Sequence, residues 1–320
     1  MKFHSVETFS NLPTEKNYYA LAIFASGFEK RATFVADKFN RATAKRVLVL
    51  GFEAQLDVLS RPENDRFFSG WSGSIQSCSG ADDDKLIFGV LDDVASADQE
   101  GPLRILVDYS VMTRAWYGAV LTWARFASLS RNIEIDFIYA SGKYEGNFGP
   151  LAISDIISLP GFEGTSGGFR RTTAIFGLGY DKYATLAVYD RIEPDRVYCC
   201  IAQRYPDDEA SLKALEENNV LVESSARVIK LPLIDVASAF RLLADQILGM
   251  DRTTHIVIVP MGPKTHVLVT LLVALRMPWI TCLHARGSRM VPVQVVADGT
   301  ISLSRVTFCS GDSGLEIASV

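Results

Sequence analysis

The sequence predicts an α/β protein made of two tandem repeats, each a doubly wound parallel sheet, with a small β-hairpin extension. Three observations predict this fold: an internal repeat, apolar strand-like runs that alternate with helix-like segments, and enough apolar residues for a large core. The 320 residues are 48% hydrophobic and 22% charged. This length suits two domains of ordinary size better than one.

The repeat is clearest where the first predicted strand of each half runs into a helix. Residues 22–33 (AIFASGFEKRAT) match residues 174–185 (AIFGLGYDKYAT) at an offset of 152, with seven of the twelve positions identical. A second pair, residues 105–114 and 255–264, aligns at an offset of 150. Two matches in the same order at nearly the same offset indicate a duplicated unit.

The first half reads as strands that alternate with helices. The predicted strands are residues 20–25, 46–52, 74–77, 104–109 and 133–139. The predicted helices are residues 28–39, 81–95 and 113–128. Residues 60–80 are expected to form a loop, because they are rich in Ser, Gly and Asp. Its aromatic residues Phe67, Phe68 and Trp71 predict either a lid or contact surface, or an ordinary insertion packed on its own domain.

The second half repeats the alternation. The predicted strands are residues 173–177, 196–201, 227–231, 254–260 and 279–284. The predicted helices are residues 180–192, 207–218, 234–248 and 264–276. Three acidic residues directly after Pro206 mark the start of one helix, since carboxylates stabilise a helix N-terminus. Continuous apolar strands between helices are typical of Rossmann-like parallel sheets covered on both faces.

Two segments fall outside the alternation. Residues 291–308 predict a hairpin, because their polarity alternates around Asp298-Gly299, a pair suited to a tight turn. Residues 151–159 occupy the equivalent place in the first half and are expected to pair with that hairpin. The glycine-rich residues 161–168 predict the joint between the halves. The predicted organisation is therefore two Rossmann-like repeats, residues 1–160 and 172–320, joined by residues 161–171.

Charge and composition exclude several classes of protein. The net charge of −5 and the pI near 5.5 disfavour a broad surface for duplex nucleic acid or for a membrane. Five cysteines without a C-x-x-C pair predict buried free thiols in a reducing compartment. The polar N-terminal residues and the absence of an apolar run near 20 residues predict a cytoplasmic protein.

The predicted ligand site lies at the carboxyl ends of the first and fourth strands, where the winding reverses in a sheet of order 3-2-1-4-5. Glycines in the turns allow close approach of the backbone, and the N–H groups at the start of the following helix favour an anion. The aligned cations Arg114 and Lys264 add positive charge, and nearby hydroxyls can contact phosphate or ribose. Together these residues favour an anionic, nucleotide-like ligand. The candidate binding residues are Ser26, Gly27, Phe28, Ser110, Thr113, Arg114, Gly177, Gly179, Tyr180, Gly262, Lys264 and Thr265. The alternative is that these glycines serve only the turns and that Arg114 or Lys264 is solvated or caps a neighbouring element.

Cofactor and metal sites are not predicted. Lys182 stands where G-x-G-x-x-G needs its third glycine, and no G-x-x-x-x-G-K-[ST] motif occurs. Four scattered histidines and unpaired cysteines disfavour a structural zinc site, so no metal ligands are assigned.

Candidate catalytic residues are few. His266 is the only histidine predicted in the crevice, and with Lys264 and Asp108 it could serve a phosphate-ester hydrolase or transferase. Two structural alternatives stay open. His266 could bond a backbone carbonyl, and Asp108 could cap the next helix.

A strand that runs into Met-Gly-Pro-Lys-Thr-His at residues 261–266, followed by an apolar helix, resembles the strand, turn and helix of CRISPR-associated Rossmann-fold (CARF) sensor domains. Those domains are dimeric and bind oligoadenylates across the dimer crevice. The resemblance implies an internally duplicated sensor whose ligand contacts residues in both halves. These residues would be Gly27, Ser110 and Arg114 in the first half, and Gly179, Gly262, Lys264 and Thr265 in the second. Pro263 departs from the family's turn.

Three functions follow as hypotheses. The leading one is a sensor, or a subunit of a larger assembly, that binds a nucleotide or another phosphorylated small molecule. Antiviral defence is a candidate context for this assembly, and a protein partner or a homodimer is a candidate form of it. The second is the hydrolase or transferase described above. The third is a scaffold that contacts protein partners through residues 60–80 and the terminal hairpin.

Overall fold

A computed structural model describes residues 1–72, 75–80, 82–97, 101–146, 149, 151–165, 167–168, 171–204, 209–289 and 291–310. The first-half strands are β1 (Lys2–Thr8), β2 (Tyr19–Ser26), β3 (Ala44–Phe52), β4 (Gln76–Cys78), β5 (Leu103–Asp108) and β6 (Ile133–Glu145). The helices between them are α1 (Phe34–Lys38), α2 (Arg61–Ser72), α3 (Asp83–Ala97) and α4 (Arg114–Phe126), with 3-10 turns at Lys30–Thr33 and Arg41–Thr43.

The second group of strands is β7 (Leu151–Ser158), β8 (Thr172–Gly177), β9 (Arg196–Gln203), β10 (Arg227–Pro232), β11 (His255–Pro260), β12 (Thr281–Arg289) and β13 (Gln294–Cys309). Its helices are α5 (Lys182–Ile192), α6 (Glu209–Glu217), α7 (Asn219–Ser224), α8 (Val236–Leu248) and α9 (Lys264–Arg276). The predicted helix start at residues 207 and 208 lies outside the described residues.

The strands form two mixed, mostly parallel sheets. One has the order β1-β13-β6-β5-β2-β3-β4, and the other has the order β10-β9-β8-β11-β12-β7. The parallel strands lie in the order β4-β3-β2-β5-β6 in one sheet and β10-β9-β8-β11-β12 in the other. When the five strands of each half are numbered along the chain, both orders are 3-2-1-4-5, which confirms the predicted topology and the Rossmann-like α/β class. The repeat is therefore a repeat of structure as well as of sequence.

The two halves exchange one strand each. β7 leaves the first half and pairs antiparallel with β12, from Leu283 opposite Ser158 to Arg289 opposite Leu151. β13 leaves the second half and pairs antiparallel with β6 along almost all of its length. The predicted joint at residues 161–171 therefore lies between two strands of the same sheet, β7 and β8.

The hairpin prediction is wrong. Residues 294–309 form the single strand β13, and Asp298-Gly299 makes an irregularity within it between Ala297 and Ile301. Gly299 has a φ of +92°, and the carboxylate of Asp298 accepts a hydrogen bond from the Thr300 amide at 2.8 Å. The Asp-Gly pair therefore bends the strand and does not reverse it, so residues 151–159 pair with β12 instead of with a hairpin.

The expected loop at residues 60–80 is also wrong, because residues 61–72 form helix α2. Phe68 is 1% exposed, and the Trp71 ring lies 5.3 Å from that of Phe24 in β2. These side chains belong to the core of the first half, and α2 is the counterpart of α6 and α7. The predicted helix at residues 28–39 is shorter than expected and consists of a 3-10 turn followed by α1.

The halves meet through α4 and α9, which begin at the aligned Arg114 and Lys264. A Cβ placed on Gly118 of α4 would lie 3.8 Å from Leu271 of α9. Every residue of α9 from 265 to 275 is buried, and apolar residues of both halves share one core cluster. The contact between the halves is thus packed like a protein interior. Among the described helices, none combines the length and the apolar character needed to cross a bilayer.

A buried ion pair fixes the exchanged strand β13. Arg305 of β13 donates to both carboxylate oxygens of Asp136 in β6, at 2.7 and 2.8 Å. The Tyr19 hydroxyl donates to the same carboxylate at 2.8 Å, and Asp136 is 1% exposed. Because Arg305 and Asp136 are direct partners in the ladder, this contact specifies the register of the strand.

Replacing Arg305 with leucine should therefore lower the free energy of unfolding by about 3 to 5 kcal/mol, because Asp136 would keep a buried charge without its cation. Urea unfolding followed by circular dichroism measures the change. The matched control is Arg46→Leu, whose exposed pair with Asp93 spans 4.0 Å and should contribute less than about 1 kcal/mol. Equal losses in the two variants would contradict the assignment.

Candidate functional site

The predicted crevices of the two halves face each other across the α4–α9 contact. Lys264, the first residue of α9, extends into the first half, where its ammonium donates to the Ser110 carbonyl at 2.9 Å. Ser110 follows β5, so this bond joins the fourth-strand turns of the two halves. The aligned residues of the sequence repeat are therefore close together in space.

The first-half crevice is filled by its own chain. A Cβ on Gly27 would lie 3.3 Å from the Phe52 ring and 3.6 Å from Val111. The Ser26 hydroxyl donates to Asp65 at 2.5 Å, and the Phe28 carbonyl accepts from the Ser60 amide at 3.1 Å. Gly27, Ser26 and Phe28 are thus engaged in packing and turn contacts.

In the second half, the two turns touch backbone to backbone. A Cβ on Gly179 would lie 2.4 Å from the Met261 carbonyl oxygen, and one on Gly262 would lie 2.8 Å from that of Leu178. The Met261 amide also donates to the Gly177 carbonyl at 2.8 Å. Gly179 and Gly262 therefore allow the two turns to approach each other closely, as expected if these glycines serve the turns.

In each half, one asparagine side chain donates hydrogen bonds to the turn that follows the first parallel strand, β2 or β8. Asn64 of α2 donates to the carbonyls of Gly27 and Glu29 at 2.8 and 2.9 Å. Asn218, between α6 and α7, donates to the Gly179 carbonyl at 2.8 Å, and both asparagines are 4% exposed. Sequence reasoning missed this pair, although its offset of 154 residues is close to that of the repeat.

Several charged groups gather where the halves join. Asp108 is 2% exposed and accepts from the Ser110 amide and hydroxyl at 3.0 and 2.5 Å. Burial raises the pKa of Asp108 to about 6, against the opposing effect of these hydrogen bonds. Burial lowers the pKa of Lys264 to about 7, although the negative charge of Glu29 opposes that shift. Burial also lowers the pKa of Arg114.

Arg31 is a buried member of this cluster that the sequence did not single out. Its guanidinium donates to Glu29 at 2.6 Å, to the Tyr139 hydroxyl at 3.1 Å and to the Ala140 carbonyl at 2.9 Å. Arg31 is 4% exposed, so these contacts satisfy it internally. Its charge contributes to the lowered pKa of Lys264.

A cleft of about 610 Å³ opens beside the cluster, between the halves. Arg114 of α4 lines the cleft on one side. The other lining residues belong to β7, to β12 and to the turns after β8 and β11. The lining residues are Arg114, Leu151, Ser154, Asp181, Met261, His284, Ala285, Arg286 and Gly287. Sequence reasoning missed His284 and Arg286, because the predicted strand ended at residue 284 and β12 continues to Arg289.

His284 contacts Arg114 in this cleft, with 3.4 Å between its Nδ1 and the Arg114 Nη1. Burial, with the charges of Arg114 and Arg286, lowers the pKa of His284 to about 4, so the ring is neutral near pH 7. Within the described ranges, Arg114, Arg286 and Lys264 form no ion pair with a carboxylate within 4.0 Å. Two arginines, Arg114 and Arg286, and one carboxylate, that of Asp181, line the cleft.

Other predicted site residues have structural contacts. The Nε2 of His266 lies 3.0 Å from the Pro232 carbonyl at the end of β10, and burial lowers the pKa of His266 to about 4. Thr113 caps α4 by accepting from the Trp116 amide at 3.2 Å. The Tyr180 ring packs edge-on against Tyr144 of β6, with 6.0 Å between centroids. In the described part of the chain, the buried Thr265 hydroxyl has no hydrogen-bond partner.

The cleft does not bring the three predicted catalytic residues together. His266 and Asp108 are both absent from its lining, and each is satisfied by the contacts described above. Their catalytic roles stay predictions. Comparison with known proteins finds no family model that matches the chain and no matching curated protein.

Gly179→Ala should lower the free energy of unfolding by about 1 to 3 kcal/mol, because its methyl group would overlap the Met261 carbonyl. Thermal and urea unfolding measure the change. Gly70→Ala is the control, since this helical glycine in α2 has open space around it and alanine favours the helix. An unchanged or increased stability in Gly179→Ala would contradict the close approach of the turns.

Lys264 should make the stability of the protein depend on pH. Its pKa falls from 10.5 to about 7 on folding, so between these values the folded state binds fewer protons than the unfolded state. The free energy of unfolding of the wild type should therefore rise with pH relative to Lys264→Met, by about 1 kcal/mol per unit between pH 7.5 and 9.5. Urea titrations of both proteins test this, and parallel pH profiles would refute it.

Proposed function

We propose that the protein binds a phosphate-bearing ligand of nucleotide size in the cleft between its halves, and acts as a sensor or as a subunit of a larger assembly. One observation carries this proposal. Arg114, His284 and Arg286 converge from both halves on one cleft, where the cations have no carboxylate partner within the described residues.

The dimensions and the electrostatics of the cleft support an anionic ligand. Its volume of about 610 Å³ lies within the range of roughly 300 to 1,000 Å³ that is usual for small-molecule sites. Arg114 also begins α4, so the positive end of the helix dipole adds to the guanidinium charge. A partly buried cation attracts an anion more strongly than one in bulk water does.

The proposed site lies between the halves and not inside either crevice. The glycine turns of both crevices are occupied by contacts within the chain, which leaves the space between the halves for a ligand. The resemblance to CARF domains implies a ligand that contacts both halves, and the proposed cleft lies between them. We therefore include oligoadenylates among the candidate ligands and a defence assembly among the candidate contexts.

The binding function is better supported than the two alternatives. The raised pKa of Asp108 and the lowered pKa of Lys264 suit an enzyme, but the His266 ring bonds the Pro232 carbonyl and does not line the cleft. The scaffold hypothesis relied on residues 60–80 and on a terminal hairpin. Phe68 packs in the core, and the hairpin is the paired strand β13.

The test is thermal shift and titration calorimetry with inorganic phosphate, nucleoside mono- and triphosphates, and linear and cyclic oligoadenylates. At least one of these should raise the melting temperature. Arg114→Met should weaken its binding about tenfold or more, because a charged hydrogen bond contributes about 1.5 to 3 kcal/mol.

Arg46→Met, at an exposed surface position, is the control and should leave binding unchanged. The melting temperatures of the unliganded variants show whether each is folded. Failure of every ligand to stabilise the protein, or unchanged binding in Arg114→Met, would refute the proposal.

A further inference from the structure

Lys264 and Arg114 bring two positive charges to the junction of the halves. Each is the first residue of its helix, Lys264 of α9 and Arg114 of α4. The Lys264 ammonium lies 2.9 Å from the carbonyl oxygen of Ser110, in the turn that leads into α4. Lys264 is therefore held near the N-terminus of α4 as well as at the N-terminus of its own helix. The positive ends of two helix dipoles add to the charge of Arg114 there.

The carboxylates around Lys264 have other partners. Glu29 accepts from Arg31 at 2.6 Å, and Asp108 accepts from the amide and the hydroxyl of Ser110 at 3.0 and 2.5 Å. Among the described contacts, neither carboxylate lies within 4.0 Å of the Lys264 ammonium. The charged groups that act on Lys264 belong to the turn after β2, the end of β5 and the start of α4, and they are Glu29, Arg31, Asp108 and Arg114.

Lys264 is the cation of this cluster that gives up its charge. An arginine stays protonated at any pH at which proteins are folded, whereas a buried ammonium beside other cations loses its proton more easily. Burial and the charges of Arg31 and Arg114 lower the pKa of Lys264 to about 7. The charges of Glu29 and Asp108 oppose this shift but do not cancel it. Lys264 is therefore mostly neutral at pH 8.

We propose that binding of an anion in the cleft is linked to protonation of Lys264, so that the ligand and a proton bind together. This inference rests on the proposed function and describes the regulation of that site. An anion beside Arg114 offsets the repulsion between the Arg114 guanidinium and the Lys264 ammonium, which favours the charged lysine. Among the described residues, Lys264 does not line the cleft, so it acts through its charge and needs no contact with the ligand.

The linkage is reciprocal. An anion that raises the affinity of Lys264 for a proton gains affinity for the cleft by the same factor when that proton is bound. The pKa of Lys264 is then higher in the complex than in the free protein. The added affinity is complete below about pH 7 and is lost as the pH rises through the pKa of the complex. The cleft should therefore release its ligand more readily as the pH rises above 7.

Other titratable groups near the cleft keep one protonation state at pH 8. The pKa of His284 is about 4 and that of Asp108 is about 6, so the ring is neutral and the carboxyl is ionised. Asp181 and Arg286 also line the cleft, and their charges are present with and without a ligand. A phosphomonoester, with a second pKa of about 6, is a dianion at this pH. A proton taken up at pH 8 is therefore assigned to Lys264.

The experiment measures proton uptake by titration calorimetry at pH 8 in Hepes and in Tris. The ligands are the nucleoside mono- and triphosphates and the oligoadenylates named above. The two buffers release a proton with different heats, so the difference between the two binding enthalpies gives the number of protons taken up. The wild type should take up about half a proton per ligand, as expected for one negative charge about 9 Å from the ammonium. Its affinity should fall about three- to fivefold between pH 7.5 and pH 9.

Three variants test whether the proton is bound by Lys264. Lys264→Met has no group to titrate, so its uptake at pH 8 should fall nearly to zero. Lys264→Arg keeps a cation at every pH, so its uptake should also be nearly zero, while its affinity at pH 9 should equal that at pH 7.5. A purely structural role would not produce this pattern. Lys230→Met, at an exposed position of β10, is the matched control and should keep the uptake of the wild type.

The outcomes distinguish this inference from the proposed function. Binding by the wild type without proton uptake, or with an affinity that is the same at pH 7.5 and pH 9, overturns the linkage and leaves the ligand site in place. Undiminished uptake in Lys264→Met or Lys264→Arg assigns the proton to another group and also overturns it. If no nucleotide or oligoadenylate binds, the linkage is refuted, and if inorganic phosphate fails as well, so is the proposed function.

Discussion

The exchange of β7 and β13 between the two sheets is the interaction on which the rest of the structure depends. Each sheet ends on a strand from the opposite half, so ladder hydrogen bonds run from one half to the other. This exchange fixes the halves so that α4 and α9 pack with interior density. Arg114 then stands opposite β12 of the other half, and Lys264 reaches Ser110.

Two groups of buried charge contrast within this framework. The carboxylate of Asp136 accepts from Arg305 and Tyr19, and its hydrogen-bonding capacity serves the register of the exchanged strand. At the cleft, the Arg114 guanidinium contacts the neutral His284 ring, and within the described part of the chain it forms no ion pair with a carboxylate. The carboxylate that fixes the strand register is, by contrast, paired with a cation and fully hydrogen-bonded. This difference in pairing is the reason for proposing a ligand site at the cleft.

Local pattern and self-similarity predicted much of the fold. The repeat of residues 22–33 at 174–185 placed both first strands, and the apolar runs placed the remaining parallel strands in the 3-2-1-4-5 order. The strand exchange was not predictable, because an antiparallel partner more than 100 residues away leaves no local signal. Asp298-Gly299 has the composition of a turn, and only its pairing with β6 shows that it bends a continuous strand.

The sequence indicated only some of the residues around the candidate cleft. Arg114 and Lys264 were identified because they align in the repeat. His284 and Arg286 have no aligned basic partners in the first half, and they reach the cleft only because β12 faces α4 across the junction. The glycines predicted to contact a ligand lie in the turns that the repeat indicated, and their ligand contacts stay predictions. Gly179 and Gly262 lie against the backbone of the neighbouring turn, and Gly27 lies against the side chains of Phe52 and Val111. Such distances are not encoded in a sequence pattern.

The position of β13 in the chain has a consequence for biosynthesis. β13 lies between β1 and β6, so the first sheet contains a strand that the ribosome makes after every other strand. The N-terminal half cannot complete its sheet while the rest is being translated, and the edge of β6 stays open until residues 294–309 emerge. Such an edge can pair with other chains. The edge of β6 and the strand β1 therefore both lack a ladder partner until β13 has been made, and this order of synthesis leaves them open to non-native pairing.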